Sequence, residues 1–248
     1  MLPENQSPSY TSIPAERSQA GVAKKFVANV FLWMFGALAI SALFAWLFAT
    51  NAQLMAYLVN YDGLTGLGKL AMWAPLLFVI VMSFGYQRLS ATAMAALFVV
   101  YAAVMGISLS FILLAFTAGS VVSCFAAAAV MFGVMAVMGY TTDKDLTSFG
   151  RIMMMGLIGI VVASLINWFM KSEQMDWIIS IVGVAVFTGL TAYDVQKIKH
   201  IGMGLEVTEE GPRVSESARK ASVYGALTLY LDFINLFLMI LRLFGRRR

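Results

Sequence analysis

Long runs of apolar residues, separated by short polar segments, set the pattern of this 248-residue chain. Seven runs are long enough for a helix to cross the hydrocarbon core of a bilayer, which takes about 20 residues. They cover residues 26–49, 70–87, 91–115, 119–140, 152–170, 176–197 and 221–244. Backbone polar groups must be satisfied inside lipid, and runs this long and uniformly apolar do not suit barrel strands. The pattern therefore predicts seven transmembrane helices.

The composition supports an all-α integral membrane protein. Hydrophobic residues make up 60% of the chain and charged residues 12%, whereas a soluble domain carries about 25% charged residues. The connections between runs are short except at 51–69 and 199–220, which predicts a single seven-helix domain over residues 24–248. Residues 1–23 are polar and hold three of the five prolines. We expect them to form a disordered cytoplasmic tail.

The distribution of Lys and Arg predicts the orientation. If the N-terminus is cytoplasmic, most basic residues fall in cytoplasmic segments, and the outer loops hold only Lys69 and Lys171. This agrees with the positive-inside rule. Arg242 and the arginines at 246–248 run against the rule if the last helix crosses completely. Either they lie outside, or one segment is re-entrant and both termini are inside. We favour seven crossing helices and leave the side of the C-terminus open.

Several classes of function are disfavoured by composition. The net charge of +4 comes from loops and tails, so it indicates orientation and not a nucleic-acid surface. Cys124 is the only cysteine and His200 the only histidine. A thiolate metal cluster, a histidine zinc site and a Ser-His-Asp triad are therefore improbable. We expect neither an enzyme nor a resident cofactor.

Two carboxylates lie within apolar runs, Asp194 in the sixth and Asp232 in the last. A charged side chain at the bilayer centre costs about 2.5–3.5 kcal/mol, so such residues usually face the bundle interior or a watery cavity and suggest function. In the last run, helical spacing aligns Asp232 with Tyr224, Thr228 and Asn235 on one stripe. Thr191 lies three residues before Asp194. These four polar residues are candidates for lining a pore.

If Asp194 and Asp232 touch, they form a pH-sensitive latch. Two carboxylates in contact cannot both ionise cheaply, so they share a proton. The protonated pair hydrogen-bonds and closes the helices, and the deprotonated pair repels or recruits a cation. Calcium takes roughly six to eight oxygen ligands and two carboxylates supply at most about four, so a weak transit site is more plausible than a tight one.

Other roles for these charged residues stay open. Asp194 lies near the predicted cytoplasmic end, where Lys197 or Lys199 can pair with it. The Asp232 side chain can form a purely structural hydrogen bond between helices. Arg88 follows the second run and is either an orientation signal or a counter-ion to Asp194.

The segments around the two carboxylates carry a family resemblance. The strings "TGLTAYDVQKIKH" and "LYLDFINLFLMILRLFG" closely resemble the Bax inhibitor-1 family, also called the transmembrane BAX inhibitor motif family, and "YTTDKDLTSFGR" at 140–151 is similar to the family's loop before the fifth helix. The resemblance covers roughly 24–245 and is of the bacterial type. It implies a bacterial inner-membrane location and a central last helix wrapped by two groups of three.

The resemblance also implies a proton-sensitive calcium leak, with calcium ions and protons as the partners. The paired aspartates that sense pH carry over to Asp194 and Asp232, and a latching arginine carries over to Arg88. Some members have an acidic residue in the second helix, which here reads "AMWAPLLFVIVMSFGY" and has none. The cell-death role in the family's name does not transfer to a short bacterial-style chain.

Two alternatives to a channel remain at this point. An intramembrane aspartyl protease is expected to carry Gly-x-Gly-Asp, but Asp232 lies in "TLYLDF". A non-transporting regulator that binds a membrane quality-control protease is the stronger alternative. The N-terminal tail or the segment "EVTEEGPRVSES" at 206–217 could serve that contact.

Overall fold

The computed structural model describes residues 15–61, 63–204 and 216–248, with the side chains of 15–20 set aside. The helices in these ranges are α1 (Ala15–Thr50), α2 (Ala52–Ala56), α3 (Gly66–Gly85), α4 (Ala91–Ala115), α5 (Ala118–Thr141), α6 (Thr147–Met170), α7 (Glu173–Met203) and α8 (Glu216–Phe244). A two-stranded antiparallel hairpin, β1 (Val59–Asn60) and β2 (Gly63–Leu64), joins α2 to α3. Seven of the helices, all but α2, are long and apolar enough to cross a membrane. The prediction of an all-α membrane protein with seven spans is confirmed.

Several helices extend beyond the apolar runs. α6 begins at Thr147 and not at 152, α7 continues past 197 to Met203, and α8 begins at Glu216 and not at 221. Polar turns at helix ends need not lie in lipid, so hydropathy does not mark them. At 31 residues, α7 is about 46 Å long, well over the hydrocarbon core of about 30 Å.

Part of the predicted disordered tail is helical. α1 begins at Ala15, so its first turns occupy positions assigned to the tail at 1–23. The rest of that prediction, residues 1–14, lies outside the described residues, as does most of the segment at 206–217.

Two sets of contacts define the ends of the bundle. At one end, Asn29 Nδ2 of α1 donates a hydrogen bond of 3.0 Å to Ser222 Oγ of α8. At the other end, the chain after α8 pairs with the connection between α4 and α5: Thr117 N donates to the Arg246 carbonyl at 2.9 Å, and Arg248 N donates to the Ala115 carbonyl at 3.0 Å. α8 therefore runs from one end of the described bundle to the other, which favours a complete crossing over a re-entrant segment. The arginines at 246–248 lie at the end opposite the start of α1.

The most buried helices are α7 and α8. In the most apolar stretch of each, 61% of the residues are buried, against 28% or less in the other five spans. α8 packs against α1, α4, α5 and α7, and α7 packs against α1, α5, α6 and α8. The centre of the described bundle is thus a helix pair. The arrangement of two groups of three around the last helix alone stays a prediction.

Close backbone contact with this pair depends on glycine in α5. A Cβ on Gly139 would overlap the carbonyl oxygen of Ala192 and lie 2.8 Å from its Cα. We expect Gly139→Ala to lower the free energy of unfolding by about 1–3 kcal/mol, because backbone atoms must move apart. Gly133→Ala is the control, since a Cβ on Gly133 meets nothing within 4 Å in the same helix. Thermal unfolding in detergent measures both, and equal midpoints would contradict the prediction.

The orientation of the bundle is tested by thiol labelling. Single cysteines are placed by Lys25→Cys and Arg248→Cys in a Cys124→Ala background. Because cytoplasmic segments should hold the excess of Lys and Arg, we expect a membrane-impermeant reagent to label Arg248→Cys in intact cells without an outer membrane. Lys25→Cys should react only after permeabilisation. Labelling of both before permeabilisation, or of neither, would contradict a single full set of seven crossings.

Candidate functional site

The structure brings the two intramembrane carboxyls together. Asp194 on α7 and Asp232 on α8 share a side-chain hydrogen bond, and their side chains are 6% and 5% exposed. An ionised carboxylate only accepts hydrogen bonds, so this bond requires that one of the two carries a proton. We therefore expect the pair to hold one proton in a nearly dry place.

Glycines on both helices allow this contact. A Cβ on Gly183 of α7 would lie 2.8 Å from Met239 Cγ, and a Cβ on Gly225 of α8 would lie 3.3 Å from Ile198 Cγ1. These contacts lie on either side of the carboxyl pair along the antiparallel helices, so the helices stay close along that length. By the same register, Thr191 lies across from Asp232.

A second polar link fixes α8 against α1. Ser41 Oγ donates to the Ala102 carbonyl at 2.7 Å, so the Tyr230 hydroxyl, 2.7 Å from Ser41 Oγ, is the donor in that contact. Tyr230 is two residues before Asp232 and therefore points to the other side of α8. With one face tied to α1, the helix presents Asp232 to α7.

Two buried side-chain oxygens, Thr188 Oγ1 on α7 and Asp232 Oδ2 on α8, accept no hydrogen bond from an N–H or hydroxyl donor of the described residues. Buried polar atoms without partners are rare in folded proteins. Thr188, Thr191 and Asp194 follow one another at intervals of three along α7, which keeps them on neighbouring positions of one helical face. The sequence alone did not predict Thr188 as a site residue. Its spacing from Thr191 and Asp194 was the available signal, but Thr carries no charge that marks it within an apolar run.

The predicted pore-lining residues divide into two groups. Three donate to the carbonyl four residues earlier in their own helix: Thr191 to Phe187 at 2.8 Å, Thr228 to Tyr224 at 3.1 Å and Asn235 to Leu231 at 2.8 Å. The two threonine donors and one of the two Asn235 amide donors are thereby satisfied, and the side-chain oxygens keep lone pairs for other partners. The Tyr224 ring instead packs on the Tyr86 ring, with centroids 5.0 Å apart.

The basic residues proposed as partners do not form ion pairs with the carboxyls in the described part of the chain. Arg88 is exposed in the turn after α3. Lys199 Nζ donates to the Tyr140 carbonyl at 2.8 Å and lies over the Tyr140 ring. Lys197 is exposed, one turn after Asp194. The latch by Arg88 stays a prediction.

Comparison with known proteins covers almost the whole chain. A family model described as "Inhibitor of apoptosis-promoting Bax1" matches residues 23–248. The "Inner membrane protein YbhL" of Escherichia coli (strain K12) is 47% identical over 224 residues, which cover 90% of this chain and 92% of that protein. An uncharacterized protein of Borreliella burgdorferi is 39% identical over 94% of this chain and 97% of its own length. One of Caulobacter vibrioides is 35% identical over 96% of each.

The contribution of the carboxyl pair to stability is measurable. Asp232→Asn keeps a donor toward the Asp194 carboxylate, so we expect stability close to that of the native protein. Asp232→Ala leaves the Asp194 carboxyl buried without its partner, which should cost about 1–3 kcal/mol of unfolding free energy. Thermal unfolding in detergent at neutral pH separates the two. Asp143→Ala, at an exposed loop position, is the control, and equal stability of both Asp232 variants would show that the bond contributes nothing.

Proposed function

The chain belongs to the Bax inhibitor-1 family of membrane proteins, and from that premise we propose that it is a calcium leak channel opened and closed by the protonation of Asp194 and Asp232. The observation that carries this proposal is the direct hydrogen bond between the two buried carboxyls at the centre of the bundle. We place the protein in the inner membrane of a bacterium, as the name of the Escherichia coli relative supports.

The closed state is the one with a single shared proton. The bond between the carboxyls then joins α7 to α8, and the contacts of Gly183 and Gly225 let the helices pack without a gap at either side. Because the closed state does not conduct calcium, it needs no continuous polar path between α7 and α8.

The open state follows from loss of the shared proton. Two carboxylates in contact at low dielectric repel each other strongly, and that repulsion separates α7 from α8. A cation entering between them is attracted by both charges. Opening therefore increases as pH rises through the range in which the pair loses its proton.

Calcium is the cation that this set of oxygens suits. It is a hard cation that binds carboxylate, carbonyl, hydroxyl and water oxygens. The Asp232 Oδ2 and Thr188 Oγ1 atoms, both without partners, and the acceptor lone pairs of Thr191, Thr228 and Asn235 supply such oxygens along α7 and α8. Among the described residues, no three or more His, Cys, Asp or Glu side chains form a group that could hold a metal ion. Waters must complete the shell, which favours brief binding during passage.

The cytoplasmic mouth is where the remaining predicted residues act. The Tyr224 and Tyr86 rings pack against each other at that end at an interplanar angle of 60°, and we propose that they narrow the entrance. Arg88 lies two residues after Tyr86 and is exposed, so its guanidinium is free to approach Asp194 when that side chain becomes ionised. While Asp232 keeps the proton of the pair, such an ion pair with the charged Asp194 would hold the mouth of the channel closed.

Calcium flux into liposomes tests the proposal. Purified protein is reconstituted, and flux is followed with an internal indicator at several pH values. We expect wild-type flux to rise with pH, by at most about tenfold per pH unit for one proton. Asp194→Asn and Asp232→Asn mimic the singly protonated pair because the amide donates to the remaining carboxylate. Both should therefore show low flux with no pH response.

Asp143→Asn is the matched control, an exposed aspartate in the α5–α6 connection that should leave flux and pH response unchanged. Unaltered flux and pH response in both buried variants would refute the gate. No flux from folded wild-type protein, together with recovery of a stable complex with a membrane quality-control protease, would favour the regulator that transports nothing.

A further inference from the structure

A cavity of about 330 Å³ lies away from the carboxyl pair, where the C-terminal part of α7 meets the start of α6. Its walls are formed by Thr147, Tyr193, Gln196, Lys197, His200 and Ile201. Neither the proposed gate nor the predicted pore uses it. Lys197 and His200 are exposed, and they, with the Tyr193 hydroxyl, can donate hydrogen bonds into the cavity. None of the lining residues is acidic.

The walls of this cavity are held in place by packing. Gln196 is 5% exposed and binds the chain before α6 through both ends of its amide: Oε1 accepts from Leu146 N at 2.9 Å, and Nε2 donates to the Lys144 carbonyl at 2.8 Å. The Tyr193 ring fits against Gly150, where a Cβ would overlap it. The cavity therefore exists before any ligand arrives, which lowers the entropic cost of binding.

The charges around the cavity favour an anion. Lys197 forms no ion pair within the described ranges, whereas the neighbouring Lys199 is taken up by the Tyr140 carbonyl and ring. Two carboxyls lie near these charges: the Lys197 charge acts on Asp194, one turn earlier in α7, and the His200 charge acts on Asp145, which is itself hydrogen-bonded. Hydrogen bonds from the Thr147 hydroxyl and backbone N–H hold the pKa of Asp145 below its usual range, with smaller contributions from the charges of His200 and Arg151. Both hydrogen bonds reach Asp145 Oδ1, so that oxygen is directed to the first turn of α6.

The position of the cavity indicates where that anion comes from. Thr147 begins one spanning helix and His200 lies in the last turn of another, so the cavity is at the membrane boundary. Ile201 lines it and is 40% exposed, and the side chain of Phe149 in the first turn of α6 is also 40% exposed. A phosphate group here would have apolar side chains close by for acyl chains.

We propose that this cavity binds the phosphate group of an anionic phospholipid of the leaflet that holds the start of α1. Lys197 supplies the ion pair, and His200 and Tyr193 supply hydrogen bonds to the remaining phosphate oxygens. The site is separate from the carboxyl pair and does not depend on calcium transport.

His200 is the only histidine of the chain, so its imidazole gives one resonance that reports on the cavity. Protein without a histidine tag, labelled at histidine, is placed in nanodiscs of phosphatidylcholine or of phosphatidylcholine with phosphatidylglycerol. We expect the signal to shift with phosphatidylglycerol and to saturate. Lys197→Gln should weaken this response about tenfold, as expected for a lost charge-assisted bond, and Lys197→Arg should keep most of it.

Lys25→Gln is the matched control, since it removes one exposed positive charge at the same end of the bundle. The response of Lys25→Gln to phosphatidylglycerol should stay within about twofold of the native response, because a single exposed charge contributes little. Equal responses in Lys197→Gln and Lys25→Gln would show only the surface potential of the bilayer and would overturn the site. A full shift from inorganic phosphate in phosphatidylcholine nanodiscs, with nothing added by phosphatidylglycerol, would overturn the lipid assignment in favour of soluble phosphate.

Discussion

The contact between the Asp194 and Asp232 carboxyls, to which we assign a single shared proton, is the interaction on which the proposed arrangement of the central helices depends. Each carboxyl alone would be an expensive side chain to bury in a membrane bundle. Placed together, they need only one negative charge between them, and the bond that carries the proton also joins α7 to α8. The contact therefore depends on the presence of that proton, since removing it turns an attraction into a repulsion.

The rest of the bundle is built so that this contact can form and also be lost. α7 and α8 are the two most buried spans, yet they approach each other through Gly183 and Gly225, where no side chain interlocks the helices from the glycine side. The firmer polar link of α8 runs to α1, through Tyr230 and Ser41. The titratable pair lies at the interface between α7 and α8, which these two glycines bring close together.

The number of spans and the two interior carboxyls were predictable, because length in lipid and the cost of buried charge act directly on sequence. The ends of α6, α7 and α8 were not, since polar turns outside the hydrocarbon carry no hydropathy signal. The unpartnered oxygen of Thr188 and the two-ended contact of Gln196 depend on which backbone atoms a neighbouring helix presents. The same holds for the side of the C-terminus, which only the pairing of Arg246 with Thr117 reveals.

That pairing has a mechanical consequence for α8. The residues after the helix are joined by backbone hydrogen bonds to the connection between α4 and α5, and Arg246 N also donates to Ser120 Oγ at 3.0 Å. A helix anchored at one end and released near its middle moves as a lever about the anchored end. In the proposed opening, the displacement would be smallest beside Phe244 and largest at the first turns of α8. Those turns are bonded to α1 through Ser222 and to the start of α4 through Glu216, so they would move together with these neighbours or break the two bonds.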